Sequence, residues 1–239
     1  MPRELRKFEI GRIYHLINRG VDQRNIFLKN QDYQRFILGL EFFNSRDAAN
    51  IWELIVREGG EDAVYDRLRR QREKEKDFLV EILAFVLMPS HFHFIVREIT
   101  EAGITAFMRK IGGYVSYFNK QNQRVGTLFQ GRYRSVEIKD DSQLSAVFNY
   151  VHTNPVELIE PGWKDFKVKN PDRTVERLKR YRWSSYLDYI GETNFPFVTS
   201  REFFLNFFGN KEKCAGSIRE WILSKGRSIR PSLDLGIIE

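Results

Sequence analysis

Apolar residues run almost unbroken from Val80 to Met88, stop at Pro89-Ser90, and resume from His91 to Val96. Two such runs across a tight break predict a β-hairpin buried in a sheet. Ile13 to Ile17 (Ile-Tyr-His-Leu-Ile) is a further β-prone run, closed by Asn18-Arg19-Gly20 as a turn, and Tyr133 to Ile138 reads as another strand. Helical periodicity appears after Asp32, with apolar positions at Tyr33, Phe36, Ile37, Leu40 and Phe43. Ala106 to Asn119 predicts a second helix, weakened at Gly112-Gly113. Asp140, Asp141 and Ser142 offer N-cap chemistry for a helix running to about Thr153, stopped by Asn154-Pro155.

The order strand, helix, strand, strand, helix, strand is the ferredoxin-like (RRM-like) plan. The expected class is therefore α+β, an antiparallel sheet with helices on one face and a further helix outside that core. Two regions lie off the plan. Residues 58–77 are dominated by charge and read as a solvated helical insertion. From about Gly191 onward the chain forms an extension with an aromatic patch (Phe203, Phe204, Phe207, Phe208) and an amphipathic stretch, expected to pack on the core. The division is thus a domain over 1–190 and an extension over 191–239.

Composition changes this picture in a few respects. The 239 residues are 42% hydrophobic and 30% charged, with 20 Phe, so a Phe-rich globular core is expected. A net charge of +7 favours a polyanionic partner. The single Cys, Cys214, excludes an internal disulfide and a multi-cysteine zinc site. No apolar run approaches the ~20 residues that span a bilayer, and Met1 to Arg12 has no signal-peptide core. A cytoplasmic protein with no membrane association is the expectation.

The sharpest local feature is His91-Phe92-His93. On a strand, residues two apart share a face, so both imidazoles project together while Phe92 goes to the other side. Such a pair can chelate a divalent cation, although at least one further ligand is required. Two surface histidines on one side of a sheet would give the same pattern. Tyr150 and Asn154 share a helix face one turn apart. An Asn carbonyl oxygen suits magnesium or manganese. A phenol titrates near ~10 and needs help from a cation or base to act as a nucleophile. Spacing alone favours reading Tyr150 as a core aromatic and Asn154 as a helix stop before proline.

The string Ala84-Phe-Val-Leu-Met-Pro-Ser-His-Phe-His-Phe-Ile-Val96 resembles the histidine motif of the single-tyrosine HUH transposases. Tyr14-His-Leu-Ile-Asn-Arg-Gly20 resembles the first strand of that family. Tyr117-Phe-Asn-Lys and Gly126-Thr-Leu-Phe-Gln-Gly-Arg-Tyr-Arg-Ser135 resemble its second helix and fourth strand. Asn149-Tyr-Val-His-Thr-Asn-Pro-Val156 and Arg182-Trp-Ser-Ser-Tyr186 are similar to the branch called REP-associated tyrosine transposases. The resemblance spans roughly residues 8–190. Ser90 stands where an Asn often precedes the histidines, and the charged insertion and the extension lie outside the shared pattern.

The resemblance implies an enzyme that nicks and rejoins single-stranded DNA. His91 and His93 fall on its metal-binding histidines, Asn154 on the polar third ligand, and Tyr150 on the nucleophile, with Mg2+ or Mn2+ as cofactor. Tyr114 and Tyr117 compete for the nucleophile role, but they belong to the preceding helix, and Tyr114 has no amide four residues on. Attack would leave a 5′-phosphotyrosine and a free 3′-hydroxyl, with hairpin-forming (REP-like) DNA as the partner. Arg109, Lys110, Lys120, Arg124, Arg132, Arg134 and Lys139 are the expected backbone contacts, and Tyr117 and Phe129 the expected base-stacking residues. Relatives occur as monomers and as homodimers, so either assembly fits. The alternatives are an RNA-binding module of the same fold, a catalytically idle hairpin-binding regulator, and a relaxase or replication initiator of the same chemistry.

Overall fold

The computed structural model describes residues 6–46, 51–70, 77–163 and 168–226. Residues 71–76 of the charged insertion and the tail from 227 lie outside the described residues.

Strands β1 (Ile13–Arg19), β2 (Val80–Met88), β3 (His91–Glu98) and β4 (Arg134–Ile138) form one antiparallel sheet in the order β2-β3-β1-β4. Pro89-Ser90 makes the tight turn expected between β2 and β3. β1 runs two residues beyond the expected strand: Asn18 and Arg19 pair with Phe92 and His91 instead of turning. The turn chemistry of that tripeptide yields to ladder hydrogen bonds that the neighbouring β3 supplies.

Alternation along the strands divides the apolar residues between two cores. Tyr14, Leu16, Phe85, Leu87, Phe92, Phe94 and Val96 enter the first, under α1 (Asn30–Phe42), α3 (Glu61–Arg70), α4 (Gly103–Ile111) and α5 (Tyr114–Gln121). Val86, Met88, Ile95 and Ile138 enter the second, under α6 (Asp141–Thr153), α7 (Pro171–Leu178), α8 (Tyr186–Tyr189), α9 (Glu202–Phe208) and α10 (Lys211–Gly226). Helices thus cover both faces of the sheet, where the sequence pattern placed only the tyrosine helix and an extension beyond the first layer.

The predicted helix over 106–119 is two helices. It breaks at Gly112-Gly113, where α4 hands over to α5. The charged segment is also more than a solvated face. α2 (Ile51–Glu58) precedes α3, whose Val64, Tyr65 and Leu68 are buried in the first core while Asp62 and Asp66 are exposed. Tyr65 donates to the Gln34 carbonyl at 2.6 Å, fixing α3 to α1.

α6 begins as expected: the Asp140 carboxylate accepts from the Gln143 amide at 2.8 Å. At its other end Pro155 does not stop the chain outright. The helix tightens into a 3-10 turn, Asn154–Leu158, whose early positions need no donor from proline. On the other side of the sheet edge, Trp183 to Ser185 lie along β2, with Leu87 donating to the Trp183 carbonyl at 2.9 Å and Ser185 to the Phe85 carbonyl at 3.0 Å. These bonds satisfy backbone groups that an open edge would leave bare.

α9 and α10 close the second core. Phe204 is fully buried and its ring meets Phe148, Tyr189 and Phe208. Asn149 donates to Ser217 at 2.9 Å, tying α6 to α10. Truncating Phe204→Ala should cost about 3–5 kcal/mol of stability, read from urea denaturation. A loss under about 1 kcal/mol would mean that the C-terminal helices do not close this core.

Candidate active site

The hairpin fixes the first two functional side chains. His91 and His93 occupy β3 two residues apart, and their rings lie 5.0 Å apart at 83° on the second-core side of the sheet. Phe92 points the other way, into the first core. α6 crosses this face and brings its last turn over the pair. The Asn154 side chain sits between the two imidazoles, its Oδ1 3.2 Å from His91 Nε2 and its Nδ2 donating to His93 Nε2 at 3.4 Å. One turn earlier, the Tyr150 ring stands edge-on to His93, with centroids 5.4 Å apart. The structure therefore brings together all four residues singled out for chemistry.

It adds a fifth. His15 on β1 stacks on His93 at 5.1 Å, and its Nε2 lies 2.9 Å from His93 Nδ1. Both rings are buried, with exposures of 2% and 0%. Tyr150 also stands edge-on to His15 at 6.1 Å. Burial pushes His15 down to about 4, so it is neutral at physiological pH. The bonds fix a consistent set of protons. His93 Nε2 accepts from the Asn154 amide, so its proton sits on Nδ1 and is donated to His15. That leaves the Nε2 lone pair of His93 directed at Asn154 and at the space beside His91.

His91 has a more adaptable partner. Its Nδ1 lies 3.1 Å from the Ser90 hydroxyl, which can both donate and accept. Either tautomer of His91 is therefore accommodated, and Nε2 can face Asn154 Oδ1 as a donor or turn its lone pair inward. Ser90 supplies the adaptable hydroxyl at a position where the resembling family often has Asn.

The last of the four histidines is structural. His152 donates from Nδ1 to the Phe148 carbonyl at 2.9 Å, and its Nε2 meets the Ser185 hydroxyl at 2.8 Å. Ser185 Oγ in turn accepts from the Phe85 amide at 3.0 Å. This chain links α6 to β2 through the segment that covers the sheet edge. Two of the sequence motifs, 149–156 and 182–186, thus meet at His152 and Ser185.

The other candidates separate into groups. Arg109, Lys120, Arg132, Arg134 and Lys139 are exposed. Arg109 and Arg132 border an apolar cavity on the first-core side, and Arg132 and Arg134 border a smaller cavity with Arg19. Lys110 donates to the carbonyls of Ser45 and Arg46. Arg124 lies over the Phe118 ring at 5.7 Å. Half-buried Tyr117 donates to Asp32 at 3.4 Å and carries the Arg35 guanidinium 5.5 Å from its ring centre. Intramolecular partners thus hold Lys110, Arg124 and Tyr117. Tyr114 is buried and donates to the Ile26 carbonyl at 2.7 Å. Both rival tyrosines belong to the first core, across the sheet from the histidines.

Sequence reasoning took His15 only as part of a strand. Its alternation gave the face, but its contact with His93 depends on the β1–β3 register, in which His15 opposes Ile95 and Ile17 opposes His93. Among the described residues no group of three or more His, Cys, Asp or Glu could hold a metal. A cation at this site would draw on two imidazoles and an amide oxygen. Among the described residues no helix is long and apolar enough to cross a membrane.

Residues 60–154 match the family model described as "Transposase IS200 like", a span that contains His91, His93, Tyr150 and Asn154 and ends before the 182–186 motif. The match supports the resemblance read from the sequence and a transposase-type function for the chain. A solved structure of a REP-associated tyrosine transposase, described as bound to a REP hairpin, is similar at 16% identity and a TM-score of 0.46, covering 84% of this chain and 92% of that one. No curated protein matches the chain.

Two buried neutral histidines give stability a defined pH dependence. The unfolded chain takes up protons near ~6.5, whereas folded His15 resists until about 4 and His152 until about 3. Below their unfolded values the unfolded state binds more protons, so stability is full above that range and is lost as pH falls. Urea midpoints should be lower near pH 5 than near pH 7.5, and the His152→Gln variant should show a shallower decline. Parallel declines in the variant and the parent would exclude His152 as a source.

Proposed function

We propose that this chain is a divalent-metal-dependent endonuclease and strand transferase that acts on single-stranded, hairpin-forming DNA with Tyr150 as its nucleophile. The observation that carries the reading is the Asn154 side chain lying between His91 and His93, one helical turn from a tyrosine stacked edge-on against His93. Two imidazole nitrogens and one amide oxygen from three positions are a donor set that fits magnesium or manganese with positions left for phosphate oxygens. His91, His93 and Asn154 would hold the ion, which when bound supplies Lewis-acid polarisation of the scissile phosphate.

The chain's own residues carry the rest. The Tyr150 oxygen attacks phosphorus in line with the leaving 3′-oxygen. A tyrosine–phosphorus bond forms as the bond from phosphorus to the 3′-oxygen breaks. The phenolic proton is lost and the 3′-oxygen takes one up, so the products are a 5′-phosphotyrosine and a 3′-hydroxyl. Because one ester replaces another, a second 3′-hydroxyl can reverse the step and join new ends without a nucleotide cofactor. His15 holds the proton of His93 on Nδ1 and so keeps Nε2 available toward the ligand space. The net positive charge and the exposed arginines near β4 suit the polyanionic backbone.

Purified protein incubated with labelled hairpin DNA and manganese should form a covalent adduct that Tyr150→Phe abolishes. Binding without an adduct in either metal would remove the endonuclease reading and leave a regulatory DNA-binding protein. Replacing His15→Phe keeps the stacked ring but removes the acceptor. Manganese binding, followed by titration calorimetry, should weaken by about 10–100-fold, with adduct formation recovering at high manganese. Unchanged affinity would mean that His15 only fills space.

A further inference from the structure

Cross-strand register brings one more charged group beside the histidines. Arg19 ends β1 directly opposite His91 on β3, as Ile17 lies opposite His93. Opposed residues in an antiparallel ladder project from the same face, with Cβ atoms about 4.5–5.5 Å apart. The neighbours show which face this is. Asn18, opposite Phe92, borders the first-core cavity with it, whereas His15 stacks on His93 on the second-core side. Alternation from His15 through Ile17 therefore carries Arg19 to the face that holds His91, Asn154 and Tyr150. The backbone beneath it is held from both sides. The Arg19 amide donates to Asn18 Oδ1 at 2.9 Å, its carbonyl accepts from Gln130 at 2.9 Å, and the Gly20 amide donates to the Ser90 carbonyl at 2.8 Å. Ser90 also meets His91, so the strand end and the turn fix the arginine and the imidazole relative to each other.

The side chain is the opposite case. The half-buried Arg19 guanidinium has no hydrogen bond or ion pair among the described residues. It borders a cavity of about 220 Å³ with Ile17, Gln130 and Arg134, and no carboxylate lines that cavity. Nearby arginines are engaged otherwise: Arg24 pairs with Asp22, Arg12 with Glu9 and Glu137, and Arg97 with Glu81. A planar fork of N–H donors on a fixed backbone, free of any acid, suits an anionic oxygen pair or a phosphate oxygen. Beside His91 and Tyr150, the phosphate within reach is the one under attack. We propose that Arg19 is a catalytic residue, donating to the non-bridging oxygen of the scissile phosphate that faces β1 while the other non-bridging oxygen faces His91 and His93. The inference rests on the strand-transferase reading above and adds a residue to it. As the Tyr150–phosphorus bond forms, the non-bridging oxygens gain charge, and Arg19 neutralises one of them. That charge is larger in the transition state than in bound DNA, so Arg19 acts on rate more than on affinity. It serves the rejoining step equally, because a returning 3′-hydroxyl passes through the same five-oxygen arrangement at phosphorus.

The test uses the full chain, manganese and a fluorescein-labelled DNA hairpin with single-stranded flanks. The adduct formed by the parent protein locates the scissile linkage. Arg19→Ala should slow adduct formation by about 100- to 1000-fold, while affinity for the hairpin, followed by anisotropy, stays unchanged and reports that the variant is folded. Arg19→Lys keeps the charge without the planar fork and should fall between parent and Arg19→Ala. The scissile linkage is then made as each of its two methylphosphonate diastereomers, in which a neutral methyl group replaces one non-bridging oxygen. On the diastereomer that lacks the oxygen facing β1, Arg19 has no charge to neutralise, so parent and Arg19→Ala should form adduct at the same rate. On the other diastereomer the difference between them should persist. A difference that persists on both diastereomers would assign Arg19 to another phosphate and overturn the proposal. Loss of affinity equal to the loss of rate would do the same, as would equal rates on unmodified DNA. If the parent forms no adduct, the endonuclease reading fails and the role of Arg19 with it, whereas a parent adduct with no effect of Arg19→Ala removes the role of Arg19 alone.

Discussion

The position of α6 against β3 is the constraint on which the site depends. Asn154 reaches both imidazoles only if the end of the helix lies over the His91–His93 pair, and a rotation of one residue would turn it away by about 100°. Apolar packing alone specifies such a register loosely, because Val147, Phe148 and Val151 could slide on a greasy sheet face. Buried polar partners are less forgiving. His152 must meet Ser185, Ser185 must meet Phe85, and Asn149 must meet Ser217. Each bond lost in a misregistered packing would leave a buried polar group unsatisfied, at about 1–3 kcal/mol apiece.

That logic gives residues distant from the chemistry a share in it. The segment 183–185 covers the β2 edge and holds His152 from one side, while α10 holds Asn149 from the other. α6 is therefore clamped on both flanks while Tyr150 remains half-buried between them. The clustered aromatics around Phe148 and Phe204 supply the bulk, and the few polar bonds supply the alignment. Cys214 belongs to this packing: burial pushes its thiol up to about 12, so it is held as an unreactive core side chain.

Features set by local chemistry were legible in the sequence. The β2–β3 hairpin follows from two apolar runs and a Pro-Ser break, and α6 from Asp140 and a helical period. The same-face placement of His91 and His93 follows from strand alternation alone. What was not legible depended on partners distant in sequence. Asn18-Arg19-Gly20 carries turn signals, yet β3 draws the first two residues into the ladder. α3 reads as charge, but Val64, Tyr65 and Leu68 find α1 and the first core. His15 needed the strand register, and the expectation for Lys110 needed the position of the Ser45 carbonyl.

The two faces of the sheet also differ in what they can do. On the helix α6 side, the buried groups near β3 are polar and converge. On the other, they are aromatic and line an accessible cavity. A single strand of β3, through His91-Phe92-His93, contributes to both. Three consecutive residues can serve opposite environments because the pleat separates them with no flexible linker between. Any shift of β3 by one residue would exchange the two sets together, turning Phe92 toward Tyr150 and His15 and both imidazoles toward the apolar face. The ladder on both sides of β3, with β2 and β1, opposes such a slip, which is why a central strand is a suitable carrier for both.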